Sequence, residues 1–468
     1  LVRSKVNAIA PSVAPGIDRL GVFLPYTPLH YRIFDVIDFP LVATSANLSD
    51  EPIIRSSEEL YDKLSDVVDG VLTHERDIVN ACDDSVVQML DGRPLILRLA
   101  RGFAPYTLTL PFKLDKKVLA VGANQKNSIA LAFDDKIILS PHIGDLGSLE
   151  AFEYFERTLE TFKGFYDFEP DIIVCDKHPG YETTKWAHQI KIKNEKLKIV
   201  EVQHHYAHIL AALAESGTEE KVLGFAFDGT GYGDEGTIWG GEVFVGDASS
   251  YERVYSLKPF RLLGGEKAVR EPRRVSLALL FECYTLDEVL ALDNPTVKAF
   301  SEKEIRALHT AWQKGLNAPV CSSMGRLFDG IASLSGVCQH VSYEGESGLM
   351  LEAAVEYNNV EPYPYTFEDA KIDWSPMVRL IAEGALSCSE IASRFTSTLA
   401  AVMVEIAKGY DCKVVLTGGV FQNRTLLEAV TKRFDEEGIE YYLPSKFPVN
   451  DGSIALGQVW FALKGVEG

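Results

Sequence analysis

A strand-turn-strand opening that occurs twice, about a hundred residues apart, restricts this chain to a duplicated α/β architecture. In the first copy, VLAVG (118–122) reads as a buried strand, NQKN as a turn, NSIALAF (127–133) as the return strand and KIILSPH (136–142) as a third. A helical stretch, LGSLEAFEYFERTLETFKGFY, follows, then the strand DIIVCD (171–176) and a helix from about Tyr181. In the second copy, VLGFAFDG (222–229), IWGGEVFVG (238–246) and ERVYSLKPF are the three strands, with TGYGDEGT as a glycine-rich turn. Helical stretches run from there to about Gly409. KVVLTGGVFQN (413–423) is a strand and turn, RTLLEAVTKRFDEEG a helix, IEYYLP a strand and NDGSIALGQVWFALKG a closing helix. Each copy must bury its sheet under its own helices, so two lobes with a cleft between them are expected. Nucleotides favour such a cleft, at the carboxyl ends of the strands.

The residues before this repeat form a separate block. Its apolar runs Leu20 to Leu24, Pro40 to Thr44 and Pro94 to Leu99 read as extended, Ser56 to Val68 as a charged helix, and PYTP (25–28) as a turn. The proline- and lysine-rich stretch around PFKLDKK places a boundary near residue 114. A length of 468 residues suggests about three domains, in line with one block and two lobes. The chain starts with Leu rather than Met, so a fragment or a processed form is expected, and LVRSKVNAIAPSVAPG lacks the apolar centre of a signal peptide. No uncharged apolar run is long enough to span a bilayer, so no membrane association is expected. A net charge of −21 argues against nucleic acid as the main partner, because phosphate recognition needs a basic surface. No two of the seven cysteines are three apart, which excludes a CxxC pair, and their scatter fits a reducing cytoplasm.

The sharpest chemical signal is VQHHYAH (202–208). His204 and His208, four apart at the start of a helical run, share one face and can reach one ion. His205 points elsewhere. The same pair also fits a polar helix start with surface histidines. Asp228 ends an apolar strand and opens DGTGYG, which makes it a third ligand or an ordinary Asx turn. Asp451, at the start of the last helix, is a fourth candidate, although Asn450 or Asp451 would serve any helix as a cap. Two histidines with one or two aspartates suit zinc or iron. Gly229 and Gly231 allow backbone N–H groups to approach phosphate, as do Gly418 and Gly419 in the strand-to-helix turn LTGGVFQN. Lys126 sits in the first hairpin turn, where a cation meets phosphate or simply solvent. Asp329, in SSMGRLFDG, suits a ribose hydroxyl or a surface helix. In the first block, TSANLS (44–49) offers small polar groups after an apolar run, and Arg98 and Arg101 offer fixed cations.

Taken together, these stretches resemble a known family. VQHHYAH, FDGTGYGDEGTIWGGE, SSMGRLFDG, SYEGESGLMLE and LTGGVFQN are similar to the threonylcarbamoyl-transferase-like domain of the ASKHA (actin/hsp70-like) nucleotide-binding fold. LPYTPLH, ATSANLSDEPI and LRLARGFAP are similar to the second half of a YrdC domain, with Asp50 where related motifs carry glycine. The order of the two, with the variants VQHHYAH, NQKN and SPHIGDL, resembles the HypF family of hydrogenase-maturation carbamoyltransferases. The implied architecture is α/β: a partial YrdC-like domain over 1–114, then a two-lobed, duplicated ASKHA domain over 115–468. The family's amino-terminal acylphosphatase domain and CxxC zinc modules are not seen in this sequence, and the first half of its YrdC-like domain is not recognisable there.

The resemblance also implies a chemistry. Carbamoyl phosphate and ATP, the latter with magnesium, would give carbamoyl-adenylate in the YrdC-like part. The carbamoyl group would then pass to the carboxy-terminal cysteine of a HypE-type partner and become a cyanide ligand of a [NiFe] hydrogenase. His204, His208, Asp228 and Asp451 fall at the family's metal-binding positions. Gly418, Gly419 and Asn423 fall in its nucleotide turn, and Thr44, Ser45, Asn47 and Arg98 in its adenylate-forming site. The competing readings are a threonylcarbamoyl transferase acting on tRNA, disfavoured by the charge, and a non-catalytic ATP-binding assembly protein.

Overall fold

The two sequence repeats become two sheets of one design. A computed structural model describes residues 1–3, 9–48, 51–356 and 360–464. In the first lobe Val118–Ala120, Ala130–Phe133 and Lys136–Leu139 form an antiparallel meander, and Ile172–Asp176 and then Lys198–Val202 add in parallel beside Val118–Ala120. In the second, Val222–Phe227, Gly241–Gly246 and Tyr251–Leu257 form the meander, and Lys413–Thr417 and Tyr441–Tyr442 add in parallel. If the strands of each repeat are counted one to five, both sheets run 5-4-1-2-3. Each sheet is also extended beyond its third strand. In the first lobe Tyr106–Thr109 pairs with Lys136–Leu139, so the chain enters this sheet before residue 114. In the second the hairpin Thr366–Glu368 and Lys371–Asp373 adds at the edge, within a stretch expected to be helical.

Strand alternation divides each sheet between two cores. Leu119, Ile138 and Ile173 face outward onto the helices Leu149–Tyr166 and Glu182–Lys193. Val118, Ile137, Ile172 and Val174 face inward, onto a central layer of two helices, His204–Ser216 and Ile454–Lys464. From the other side Val222, Ala226, Phe244 and Val415 close on the same two helices, while Leu223, Phe225 and Leu416 face the outer helices of the second lobe. The result is a layered α-β-α-β-α stack, and one of its central helices carries His204 and His208. They cross very closely: a Cβ on Gly457 would lie 1.9 Å from the carbonyl oxygen of Ala207.

The first block lies across the cleft side of this stack. Its hairpin, Val86–Leu90 with Arg93–Arg98, buries Leu90 and Leu95 in the outer core of the second lobe and Ile96, with Leu99 just beyond its end, in the central core. The charged helix is present as Ser57–Leu64, capped by Ser56. Two expectations are corrected. Of the run Leu20 to Leu24, only Leu20 belongs to a strand, Arg19–Leu20, which pairs with Val2–Arg3; Pro40 to Thr44 forms no strand. A strand needs partners for its N–H and C=O groups, and among the described residues 21–24 and 40–44 find none; Leu24 and Val42 remain 79% and 78% exposed. PYTP leads into a helix, Pro28–Phe34, because Thr27 accepts a hydrogen bond from the N–H of His30 and Pro28 fits the first turn. Ser49 and Asp50 lie outside the described residues. Among the described residues, no helix is long and apolar enough to cross a membrane.

Candidate functional site

Four side chains from three separate segments converge at the head of the central helices. Gln203 caps the first helix by accepting from the N–H of Tyr206, which starts the helix at His204 and puts His204 and His208 on one face. Asp228 follows the strand Val222–Phe227. Asp451 stands at the head of the closing helical segment, where Asn450 takes the capping role by accepting from the N–H of Gly452, so the Asp451 carboxylate is not needed there. His208 Nε2 lies 2.9 Å from Asp228 Oδ2 and 3.4 Å from Asp451 Oδ1; His204 Nε2 lies 3.7 Å and 3.6 Å from the same two oxygens. One ligand atom from each residue lies within 4.8 Å of every other, and all four residues are buried.

These separations fit a shared cation. Ligand atoms about 2.0–2.2 Å from a tetrahedral ion lie roughly 3.4 Å apart. The donor set, two imidazoles and two carboxylates, suits zinc or ferrous iron. His204 Nε2 is buried without a hydrogen-bond partner, as a nitrogen reserved for a metal would be. The electrostatics are strongly coupled. Burial pushes the His204 ring towards neutrality, but the charges of Asp451 and Asp176 outweigh it and hold its pKa well above the ordinary histidine value. Burial opposes ionisation of Asp228, yet the adjacent His204 and His208 rings, the second of them at hydrogen-bond distance, hold its carboxyl well below the usual range. Against the same burial, the His204 charge brings Asp451 to about 2. His205 is fully buried but turns away towards Trp239, and burial drives its pKa far down.

A cavity of about 270 Å³ opens beside Asp228 and Asp451. Gly229, Gly419, Asn423 and Asp329 line it, with Lys126 at its rim. Gly419 offers its N–H to Asp228 Oδ1 at 3.3 Å, and Gly229 at 2.7 Å. Gly418 has φ +99°, and a Cβ there would fall 2.3 Å from the Phe227 carbonyl oxygen, so the turn between strand and helix requires glycine. Asn423 uses its side chain to cap the following helix at the N–H of Leu426. Gly231 lies away from this cavity, packed so closely on His204 and His205 that a Cβ would collide with both rings. Asp329 is a buried acid rather than a surface one. Arg326 Nε sits 3.1 Å from its Oδ2, and the Ser347 hydroxyl donates to its other oxygen.

A second cavity, about 490 Å³, lies between the first block and the first lobe. Ser45, Asn47 and Arg98 line it; Thr44 and Arg101 do not. Arg101 is paired with Asp84 at 3.0 Å and lies over the Tyr26 ring. The two cavities share lining residues, among them Leu97, Gln422, Asn450 and the ion pair Lys126–Glu344 at 3.0 Å.

Several residues of these sites carry no local sequence signal. Arg326, Glu344 and Gln422 stand out only once the chain is folded. His142 enters the larger cavity from the loop after the third strand, where burial and the cations Arg98 and Lys126 lower its pKa to about 3. Asp176 did carry a signal: like Asp228, it ends an apolar strand, and it is in phase with the inward-facing Ile172 and Val174.

The chain is similar to known proteins along most of its length. Residues 224–458 match the family model described as "Carbamoyltransferase, Kae1-like Domain, second subdomain", 113–215 match "HypF Kae1-like domain", and 1–100 match a Sua5/YciO/YrdC model described as "Telomere recombination". Carbamoyltransferase HypF of a Synechocystis species is 40% identical over 98% of this chain. This chain spans 62% of that relative's length. A carbamoyltransferase HypF homolog of Cupriavidus necator is 31% identical, over 76% of this chain and 94% of its own. A crystal structure of full-length HypF in a phosphate- and nucleotide-bound form superposes with a TM-score of 0.92 at 36% identity, covering 100% of this chain and 74% of that one. The crystal structure of T. kodakarensis HypF gives 0.91 at 31% identity, covering 99% and 64%.

Proposed function

Because the chain belongs to the HypF family of carbamoyltransferases, we propose that it transfers a carbamoyl group from carbamoyl-adenylate to a cysteine thiol at the carboxy terminus of a HypE-type partner. The donor would be made from carbamoyl phosphate and ATP, and the thiocarboxamide product would supply cyanide to a [NiFe] hydrogenase. The reading rests on one observation above all: a buried His₂Asp₂ cluster borders a cavity lined by Gly229, Gly419, Asn423 and Asp329.

His204, His208, Asp228 and Asp451 would hold a divalent zinc or iron ion, whose chemistry there is Lewis-acid polarisation of a carbonyl or phosphate oxygen. The rest falls to the protein. Gly229 and Gly419 leave backbone room for phosphate oxygens, and the Lys126 and Arg326 side chains supply positive charge beside them. Asp329 suits a ribose hydroxyl, and magnesium would accompany ATP. In the larger cavity Ser45, Asn47 and Arg98 would bind the adenylate as it forms. Attack by the partner's thiolate forms the C–S bond and breaks the bond to the phosphate, with AMP as leaving group. Burial of the cluster keeps water from a donor that hydrolyses readily.

The test is mass spectrometry of the partner after incubation with this chain and synthetic carbamoyl-adenylate, and separately with carbamoyl phosphate plus ATP. A carbamoyl mass gain on the terminal cysteine in the first mixture is expected. The second mixture shows whether this chain also makes the donor. No gain in the first would sink the proposal.

A further inference from the structure

The two histidines of the cluster are held differently. His204 Nδ1 lies 2.8 Å from Asp176 Oδ2, while its Nε2 faces Asp228 and Asp451. His208 Nε2 faces the same carboxylates, but its Nδ1 is buried without a partner. Asp176 is itself fully buried at the end of Ile172–Asp176. Its other oxygen, Oδ1, accepts from the N–H of His178, and its carbonyl accepts from the Thr184 hydroxyl. Both carboxylate oxygens are thus committed, which leaves the side chain one orientation. Among the described residues His204 is its only ion-pair partner. A buried carboxylate is costly unless a charge or hydrogen bonds compensate it, so its place beside a candidate ligand calls for a role there.

An ionised carboxylate only accepts hydrogen bonds, so in the neutral ring the proton must sit on Nδ1 and the lone pair on Nε2. We infer that Asp176 is a positioning residue, which fixes His204 in the tautomer and rotamer that present Nε2 to the His208, Asp228 and Asp451 ligand atoms. This rests on reading those four residues as a metal centre. It makes His204 the anchored ligand of the set, since an outer carboxylate both orients the ring and raises its basicity. His208, without such support, is held only from the ligand side.

The test uses the whole chain and Co²⁺ as the probe. Affinity is read by competition with a chelator, geometry from the visible d–d bands, and stability from the thermal midpoint of the metal-free protein. Asp176→Asn is expected to weaken Co²⁺ binding about 10- to 100-fold and alter the bands, with little change in the metal-free midpoint. Thr184→Val, which keeps the carboxylate, is expected to leave both affinity and bands unchanged. Unchanged affinity and bands in Asp176→Asn would overturn the inference. So would equal losses in both variants that track a lowered metal-free midpoint. Should Asp176→Asn not fold, nitrogen NMR of the zinc-loaded, histidine-labelled chain decides: zinc on Nε2 of His204 is expected, and zinc on Nδ1 overturns it. No Co²⁺ uptake by the unaltered chain would instead defeat the metal-centre reading, and the inference with it.

Discussion

Residue chemistry at the cluster sets a pH dependence whose sign can be worked out. In the metal-free chain the pKa values of His204 and His208 are raised: burial lowers both, but Asp451 and Asp176 for His204, and the Asp228 hydrogen bond for His208, outweigh it. Their contribution to stability is therefore complete below the ordinary histidine value of about 6.5 and is lost as pH rises through the folded values. Asp228 and Asp451 are depressed against the same burial by the two histidines, so their contribution is present above about 3.8 and lost as pH falls. The thermal midpoint of chelator-treated protein should thus drop as pH is raised from about 6 to about 9. Metal binding needs the histidines neutral, so the extra stability gained on adding zinc should grow over the same range. A metal-free midpoint that is flat with pH would contradict the cluster's electrostatics. Replacing His204 and His208 together with Ala should abolish bound metal, measured by elemental analysis, while the circular dichroism spectrum keeps its native shape; undiminished metal would remove both from the ligand set.

At the scale of elements, the cluster depends on how closely the two central helices approach. With a Cβ at Gly457 only 1.9 Å from the Ala207 carbonyl, Gly457→Ala must push the helices apart and carry Asp451 away from His204 and His208. We expect a loss of about 3 kcal/mol in chemical denaturation, together with weakened metal binding. Normal metal affinity in that variant would mean that the helix spacing does not set the cluster. This spacing was not legible in the sequence, because Gly457 inside a helical pattern reads as a minor defect. The elements themselves were legible wherever hydrophobic periodicity was strong: both meanders, the two His residues on one helical face and the strand-turn-helix at Gly418 follow from local pattern. What local pattern misses is long-range pairing. The edge hairpin at 366–373 is too short to interrupt a helical reading, Lys198–Val202 went unmarked just before VQHHYAH, and residues 40–44 look like a strand but have no partner among the described residues. The brought-together residues Arg326, Glu344 and Gln422 are ordinary until distant segments meet. Thr44 and Arg101, by contrast, were legible as polar and cationic and yet lie outside the cavity that Ser45, Asn47 and Arg98 line.

At the scale of the whole molecule, the first block is fastened to the second lobe by a buried ion pair. Arg19 and Glu352, 6% and 3% exposed, donate and accept in a pocket that also receives the Gln88 side chain and the N–H of Thr425. Arg19→Ala would strand a buried carboxylate, a loss of about 3–5 kcal/mol. The double change Arg19→Met with Glu352→Leu should recover most of it, because buried pairs are often replaceable by apolar groups of similar size. Denaturant titration of both variants checks this, and equal stability of the single and double variants would show that the charge itself matters little. The hairpin Val86–Leu90 and Arg93–Arg98 has a mechanical consequence. Two-lobed nucleotide folds commonly work by swinging one lobe against the other. Here Leu90 and Leu95 are embedded in one core, and Ile96 and Leu99 in the next. Any swing must extract two of the four, at about 1.5–3 kcal/mol for each side chain brought back to water. The hairpin thus acts as a suture across the hinge, and Gln422, which lines both cavities, is stitched to it where the Gln88 side chain donates to its carbonyl.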